Sequence, residues 1–155
     1  MSDSVRERIF DAIETRLKTI TVLAGYKTPF NGKVYRVWQS FDQSALPVLK
    51  IVDGGCSPRL AQYGQQFYEM ALGIEGVATY TAGLNSAKTA DNVLQDIVTS
   101  MTSTDKTLGG LCENIELVKI GTVLPDDGST SVGARVELKV TYATVAGDPY
   151  TVATV

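Results

Sequence analysis

Val132-Gly133-Ala134-Arg135-Val136-Glu137-Leu138-Lys139-Val140-Thr141-Tyr142 is the stretch that decides the fold class, because its side chains alternate by two without interruption. Val132, Ala134, Val136, Leu138, Val140 and Tyr142 point one way, and Arg135, Glu137, Lys139 and Thr141 the other. One face therefore meets a core and the other meets water or a partner, the habit of antiparallel sheets. The strand is expected over residues 132–146. A shorter strand at 113–123 precedes it, joined by the turn-rich Leu124-Pro125-Asp126-Asp127-Gly128-Ser129-Thr130-Ser131.

Upstream the period changes to that of a helix: Ala87, Ala90, Leu94, Ile97, Val98 and Met101 share one face, which predicts a helix over about 86–103, with Gly109-Gly110 as the stop. Before it, Gln65 to Tyr80 alternates again. Tyr68, Met70, Leu72, Ile74, Ala78 and Tyr80 lie on one face, and Glu69, Gly73, Glu75 and Thr79 are among those on the other. The stretch from Gly54 to Gly64 has no period, is bounded by glycines and reads as a long loop. Lys33 to Ser40 and Leu46 to Asp53 read as two strands joined by a hairpin loop, Phe41 to Ala45. Pro47 lacks an N–H and is placed at a strand start or on an edge.

The N-terminal segment reads as a helix because Val5, Ile9, Ala12, Ile13, Leu17 and Ile20 fall on one face. Ser4-Val5-Arg6-Glu7 has the capping-box spacing, in which Ser4 Oγ accepts from the Glu7 N–H and the Glu7 carboxylate accepts from the Ser4 N–H. The helix should end before Gly25. Residues 21–32, with Pro29 and Asn31-Gly32, form a connection.

The predicted order is helix, three strands, helix, two strands. That order fits one α+β domain over residues 1–155, a mostly antiparallel β-sheet with two helices packed on one face. At this size a domain buries about two thirds of its unfolded surface. Cys56 and Cys112 need not be staples, and without CxxC spacing they read as reduced thiols, Cys112 buried before a strand and Cys56 in a loop. Strand length carries one more inference. Fifteen residues of strand reach about 50 Å, whereas a domain of this size is about 40 Å across. The strands at 66–80 and 132–146 must either bend, at Gly73 and Gly76, or project and offer edges to another subunit.

Charge and composition exclude several functions. Fourteen basic residues against seventeen acidic give −3, a poor footprint for binding a phosphate backbone. Residues 1–36 carry seven Lys or Arg against four acids, a net +3, so the remainder is −6. Opposite charge on two parts of the chain would attract copies to one another; a solvated basic first helix is the plain alternative. No apolar run approaches the roughly 18 residues of a membrane span, and MSDSVRERIF is too charged for a secretory signal, so the expectation is a cytoplasmic protein with no membrane contact.

The chain has no histidine, which removes serine and cysteine triads, histidine acid–base catalysis and most zinc sites. Neither GxxxxGK[ST] nor GxGxxG occurs. Asp126-Asp127-Gly128 offers oxygen ligands but lacks the rest of a calcium loop and suits a turn. Cys56 has only Arg59 nearby in sequence to activate it. Glu69 and Glu75 stand about 20 Å apart along an extended strand, too far to share a proton. No catalytic residue, cofactor or metal is expected. Residue chemistry instead suggests interface positions: Arg36 and Trp38 beside Tyr35 in the first strand, Arg59 and Tyr63 in the long loop, Asp126, Asp127 and Tyr150. For the first strand, ordinary sheet packing explains the aromatics equally well.

These residues, taken in order, resemble a family: the tail terminator, or tail completion, proteins of long-tailed bacteriophages. The resemblance rests on the opening helix Val5-Arg6-Glu7-Arg8-Ile9-Phe10-Asp11-Ala12-Ile13, the strand Lys33-Val34-Tyr35-Arg36-Val37-Trp38, and Leu46-Pro47-Val48-Leu49-Lys50-Ile51 running into Asp53-Gly54-Gly55. It continues through the strand to Tyr80, the second helix, Leu108-Gly109-Gly110-Leu111, Val136 to Tyr142, and Asp148-Pro149-Tyr150. Order and spacing carry it across nearly the whole chain. It implies a structural virion protein of the phage tail, assembled in the host cytoplasm as a homo-hexameric ring. Such a ring caps the tail tube, ends tube polymerisation and presents the head-tail joining surface, with the tail tube protein and a head-tail connector or stopper as partners. DNA would pass through the lumen without specific binding, as an acidic body favours. A head-side connector, a stopper or another minor tail protein is the nearest alternative. A ligand- or peptide-binding module using the sheet around Trp38 and Tyr35 is the alternative of another class.

Overall fold

The computed structural model describes residues 3–36, 43–80, 85–123 and 130–153. The elements are α1 (Val5–Leu17), β1 (Val34–Tyr35), a 3-10 turn at Gln43–Ala45, β2 (Val48–Gln62), β3 (Gln65–Thr79), α2 (Ser86–Thr102), β4 (Asn114–Val123), β5 (Ser131–Val145) and β6 (Asp148–Val152). One six-stranded sheet runs β1-β2-β3-β5-β4, and β6 pairs with β5. The α+β architecture and the two helices are as the sequence periods imply. β6 is an addition to the expected order, folded back on β5 around Gly147 at φ +78°.

β5 and β3 form the spine, antiparallel and in unbroken register from Gln65↔Val145 to Thr79↔Ser131. Met70, Leu72, Ile74, Val136, Leu138 and Val140 are buried on the face that the helices cover. α1 contributes Ile9, Phe10, Ile13 and Leu17 to the same core, and α2 contributes Val93, Leu94, Ile97 and Met101. Burying each such side chain is worth about 1.5–3 kcal/mol relative to exposure. The layers pack tightly at Gly76, where an added Cβ would lie 2.5 Å from Val93 Cγ1.

Three expectations need correction. First, β1 and β2 are parallel, Val34↔Leu49 and Tyr35↔Lys50, rather than a hairpin. Parallel pairing demands a crossover of about a dozen residues, and twelve separate Tyr35 from Val48 in sequence. Second, residues 54–62 are strand, not loop. β2 continues to Gln62 and turns into β3 through Tyr63 and Gly64, at φ +51° and +75°, the double positive φ of a tight two-residue hairpin. Register shifts between Asp53 and Cys56 and between Pro58 and Ala61 erase the alternation, so β2 reads as patternless in sequence. Cys56 accordingly lies on a strand. Third, the capping box is half formed. Ser4 Oγ accepts from the Glu7 N–H at 3.1 Å, while the Glu7 carboxylate is taken by Arg36.

Candidate assembly surfaces

Beyond Ile51 the β2 side chains leave the core. Residues 53–62 are exposed apart from half-buried Cys56, so the β2–β3 hairpin forms an arm past the helices. Its tip carries Leu60 at 71% exposure and Tyr63 at 98%. The arm is braced internally. Arg59 pairs with Glu69, and Gln66 Nε2 donates to the Arg59 and Phe67 carbonyls. The Arg59 hydrogen bond holds the Glu69 carboxyl below its usual range.

At the arm's root the helix-side face carries stacked Tyr68 and Tyr142, with ring centroids 5.0 Å apart. Tyr142 Oη lies 3.5 Å from Cys56 Sγ, and burial, then the Cys56 contact, push the Tyr142 hydroxyl pKa up. Arg6 reaches Asp53 beside them. Burial opposes ionisation of Asp53, but the Arg6 hydrogen bond and the Gly55 N–H outweigh it and the pKa falls.

The second surface is the far edge of the sheet. β4 pairs only with β5, so its other side is open among the described residues. Ile115 is buried, but Val118 (61%), Ile120 (45%), Val123 (60%) and Leu117 are exposed. A bulge between Leu117 and Lys119 turns apolar side chains to both faces. β4 contains no proline and a single lysine, so it lacks most of the devices that blunt an edge strand. β2 is the opposite case: among the described residues β1 covers its outer side at Leu49 and Lys50, and Pro58 and two bulges interrupt the rest.

The uncovered sheet face between these surfaces is a band of ion pairs. Glu75 and Glu137 flank Arg135, and Lys139 Nζ lies 3.1 Å from Glu116. Glu69 and Glu75 are thus each held by an arginine, which suits neither to proton transfer. Among the described residues no group of three His, Cys, Asp or Glu could hold a metal ion, and no helix is long and apolar enough to cross a membrane.

Of the positions singled out from sequence, Trp38, Asp126 and Asp127 lie outside the described residues. Arg59 and Tyr63 come together on the arm. Tyr150 lies on β6, which pairs with β5 at Thr144 and Val145, across β5 from the β3 residues Gln65 and Gln66 that follow the arm's turn. Arg36 sits apart. Its guanidinium stacks 4.4 Å from the Phe10 ring centre, pairs with Glu7 and lies 3.8 Å from Asp11, which fastens α1 to the sheet edge. The β4 edge was not among the sequence candidates. Its signal was the adjacent pair Leu117-Val118, which breaks the alternation of an otherwise half-polar strand.

No protein-family model matches this chain, and neither does any curated protein. Among solved structures it is similar to a chain of the virion of a native gene transfer agent (GTA) particle. The two are 8% identical with a TM-score of 0.47, over 84% of this chain and 91% of that one.

Proposed function

We propose that this protein is a structural component of a phage-type virion, a non-enzymatic terminator that closes into a ring of six chains on the end of the tail tube. The observation that carries the reading is the pair of unlike, unsatisfied surfaces on one small domain, a projecting arm and an open apolar strand edge. A chain with two different contact surfaces makes head-to-tail contacts, and those close into rings when the rotation permits. On the exposed sheet face and beside α1, Arg36–Glu7, Arg135–Glu75 and Lys139–Glu116 are internal pairs, as suits a scaffold. The resemblance to tail terminators supplies the sixfold count, the tube as partner, the connector or stopper on the other side, and a lumen that passes DNA.

The test is tube assembly. Purified tail tube protein is polymerised with increasing amounts of this protein, and tube lengths and ends are viewed by electron microscopy. The expected result is shorter tubes at substoichiometric amounts, each with one capped end. Rings that bind connector proteins but leave tube growth unchanged would move the protein to the head-side connector reading. A persistent monomer whose melting temperature shifts with small ligands or peptides would favour a binding module.

A further inference from the structure

We infer that the ring contact is made by the β2–β3 arm of one copy lying across the β4 edge of the next, an inference that rests on the ring reading above. The two surfaces stand at opposite corners of the sheet. The arm pairs with β5 at Val140 to Val145, whereas β4 covers the opposite flank of β5 from Gly133 to Thr141. A contact between opposite corners cannot be satisfied within one chain, and repeated identically it is heterologous.

The chemistry of the corners matches. The arm offers two exposed apolar side chains, Leu60 and Tyr63, beside Arg59, whose side chain is 60% exposed. The β4 edge offers exposed Leu117, Val118, Ile120 and Val123, with Glu113 and Glu116 at one end. Apolar groups meet apolar groups, and Arg59, which keeps its pair with Glu69, comes to face Glu113 and the Lys139-paired Glu116. The arm must engage through side chains, because Pro58 and two bulges break its outer ladder. Its cost of ordering is low, since the tight turn and the Arg59–Glu69 and Gln66 bonds hold it before contact. The remaining open groups of β4 are covered by the same approach, which removes the hazard of a bare apolar edge.

The experiment uses two full-length variants: an arm variant, Leu60→Asp with Tyr63→Asp, and an edge variant, Val118→Asp with Ile120→Asp. All four positions are exposed, and circular dichroism melting checks that each variant folds. Light scattering over a concentration series is expected to show wild type assembling, and each variant alone needing at least about tenfold more protein to associate. Mixed one to one, the variants should form a two-chain species and nothing larger, because the intact edge of one accepts the intact arm of the other. Wild-type-like assembly by either variant alone overturns the inference while leaving the ring reading in place. Dimers of the arm variant alone would overturn it in favour of a symmetric β4–β4 contact. Wild type that stays monomeric to about 1 mM overturns it as well. If instead the mixture behaves as expected but wild-type rings fail to shorten tail tubes, the contact stands and the functional reading falls.

Discussion

Gly76 shows how single residues set the distance between layers. The α2 helix approaches until Val93 Cγ1 and Ile97 Cδ1 occupy the space a side chain would take. Gly76→Ala should therefore destabilise the fold by about 1–3 kcal/mol through overpacking, read as a lower urea midpoint at unchanged slope. Gly121, with open space around its Cα, should tolerate alanine and serves as the control. The two cysteines diverge in the same physical way. Burial pushes the Cys112 thiol up to about 11, and Sγ lies 3.3 Å from the Lys106 carbonyl, so at pH 8 it holds almost no thiolate. Native protein treated with a thiol reagent at pH 8 should be modified at half-buried Cys56 alone, and at both after unfolding. Mass spectrometry of the labelled peptides decides it, and early labelling of Cys112 would contradict its burial.

Elements are tied together by two carboxylates that sequence periodicity could not reveal. Asp96 of α2 is buried and accepts from the Lys27 N–H at 3.1 Å and the Thr28 N–H at 2.7 Å, which fastens the 18–33 connection to the helix. Asp96→Ala leaves those donors unpaired and should cost about 2–4 kcal/mol, whereas Asp96→Asn keeps one acceptor and should cost less. Asp105 organises the turn after α2, accepting from Thr107 Oγ1 and the Thr107 and Gly109 N–H groups, and these bonds lower its pKa from 3.8 to about 2. A depressed carboxylate adds stability above its unfolded pKa and loses it as pH falls through the folded value. The stability gap between wild type and Asp105→Asn should be full at pH 5, shrink below about pH 4 and vanish near pH 2. Thermal melts across that range test it, and a gap that persists at pH 2 would place the turn's stability elsewhere.

Elements with an unbroken period were legible from sequence. α1, α2, β3 and β5 fall within a few residues of their expected limits because one side of each is uniformly apolar. The failures share a cause. β2 hides behind two bulges, β6 behind a two-residue turn, and the direction of β1 depends on a crossover whose path no local pattern records. The assembly surfaces divided likewise. Arg59 and Tyr63 of the proposed contact were singled out by residue type, whereas the β4 edge enters the proposal only through the strand order, which leaves it without a neighbour among the described residues.

Over the whole molecule, strand pairing is thickest in the centre and thins toward two corners. β3 and β5 have neighbours along most of both flanks, while the β2 arm and β4 each present a side that is unpaired among the described residues. Amide exchange follows how often such bonds open, so the central β3–β5 ladder should exchange by global unfolding and the corners by local opening. Assembly through those corners, as proposed, would change only the corners. On going from dilute monomer to assembled protein, β4 and residues 56–66 should slow by about tenfold or more. Peptides from α1, where Arg36 is already committed to Glu7 and Phe10, should not change. Exchange measured by mass spectrometry at two protein concentrations reads all three regions at once. Protection that appears on α1 and spares β4 would mean that copies meet through the basic helix, and that the charge split between residues 1–36 and the rest outweighs the apolar edge in choosing the contact.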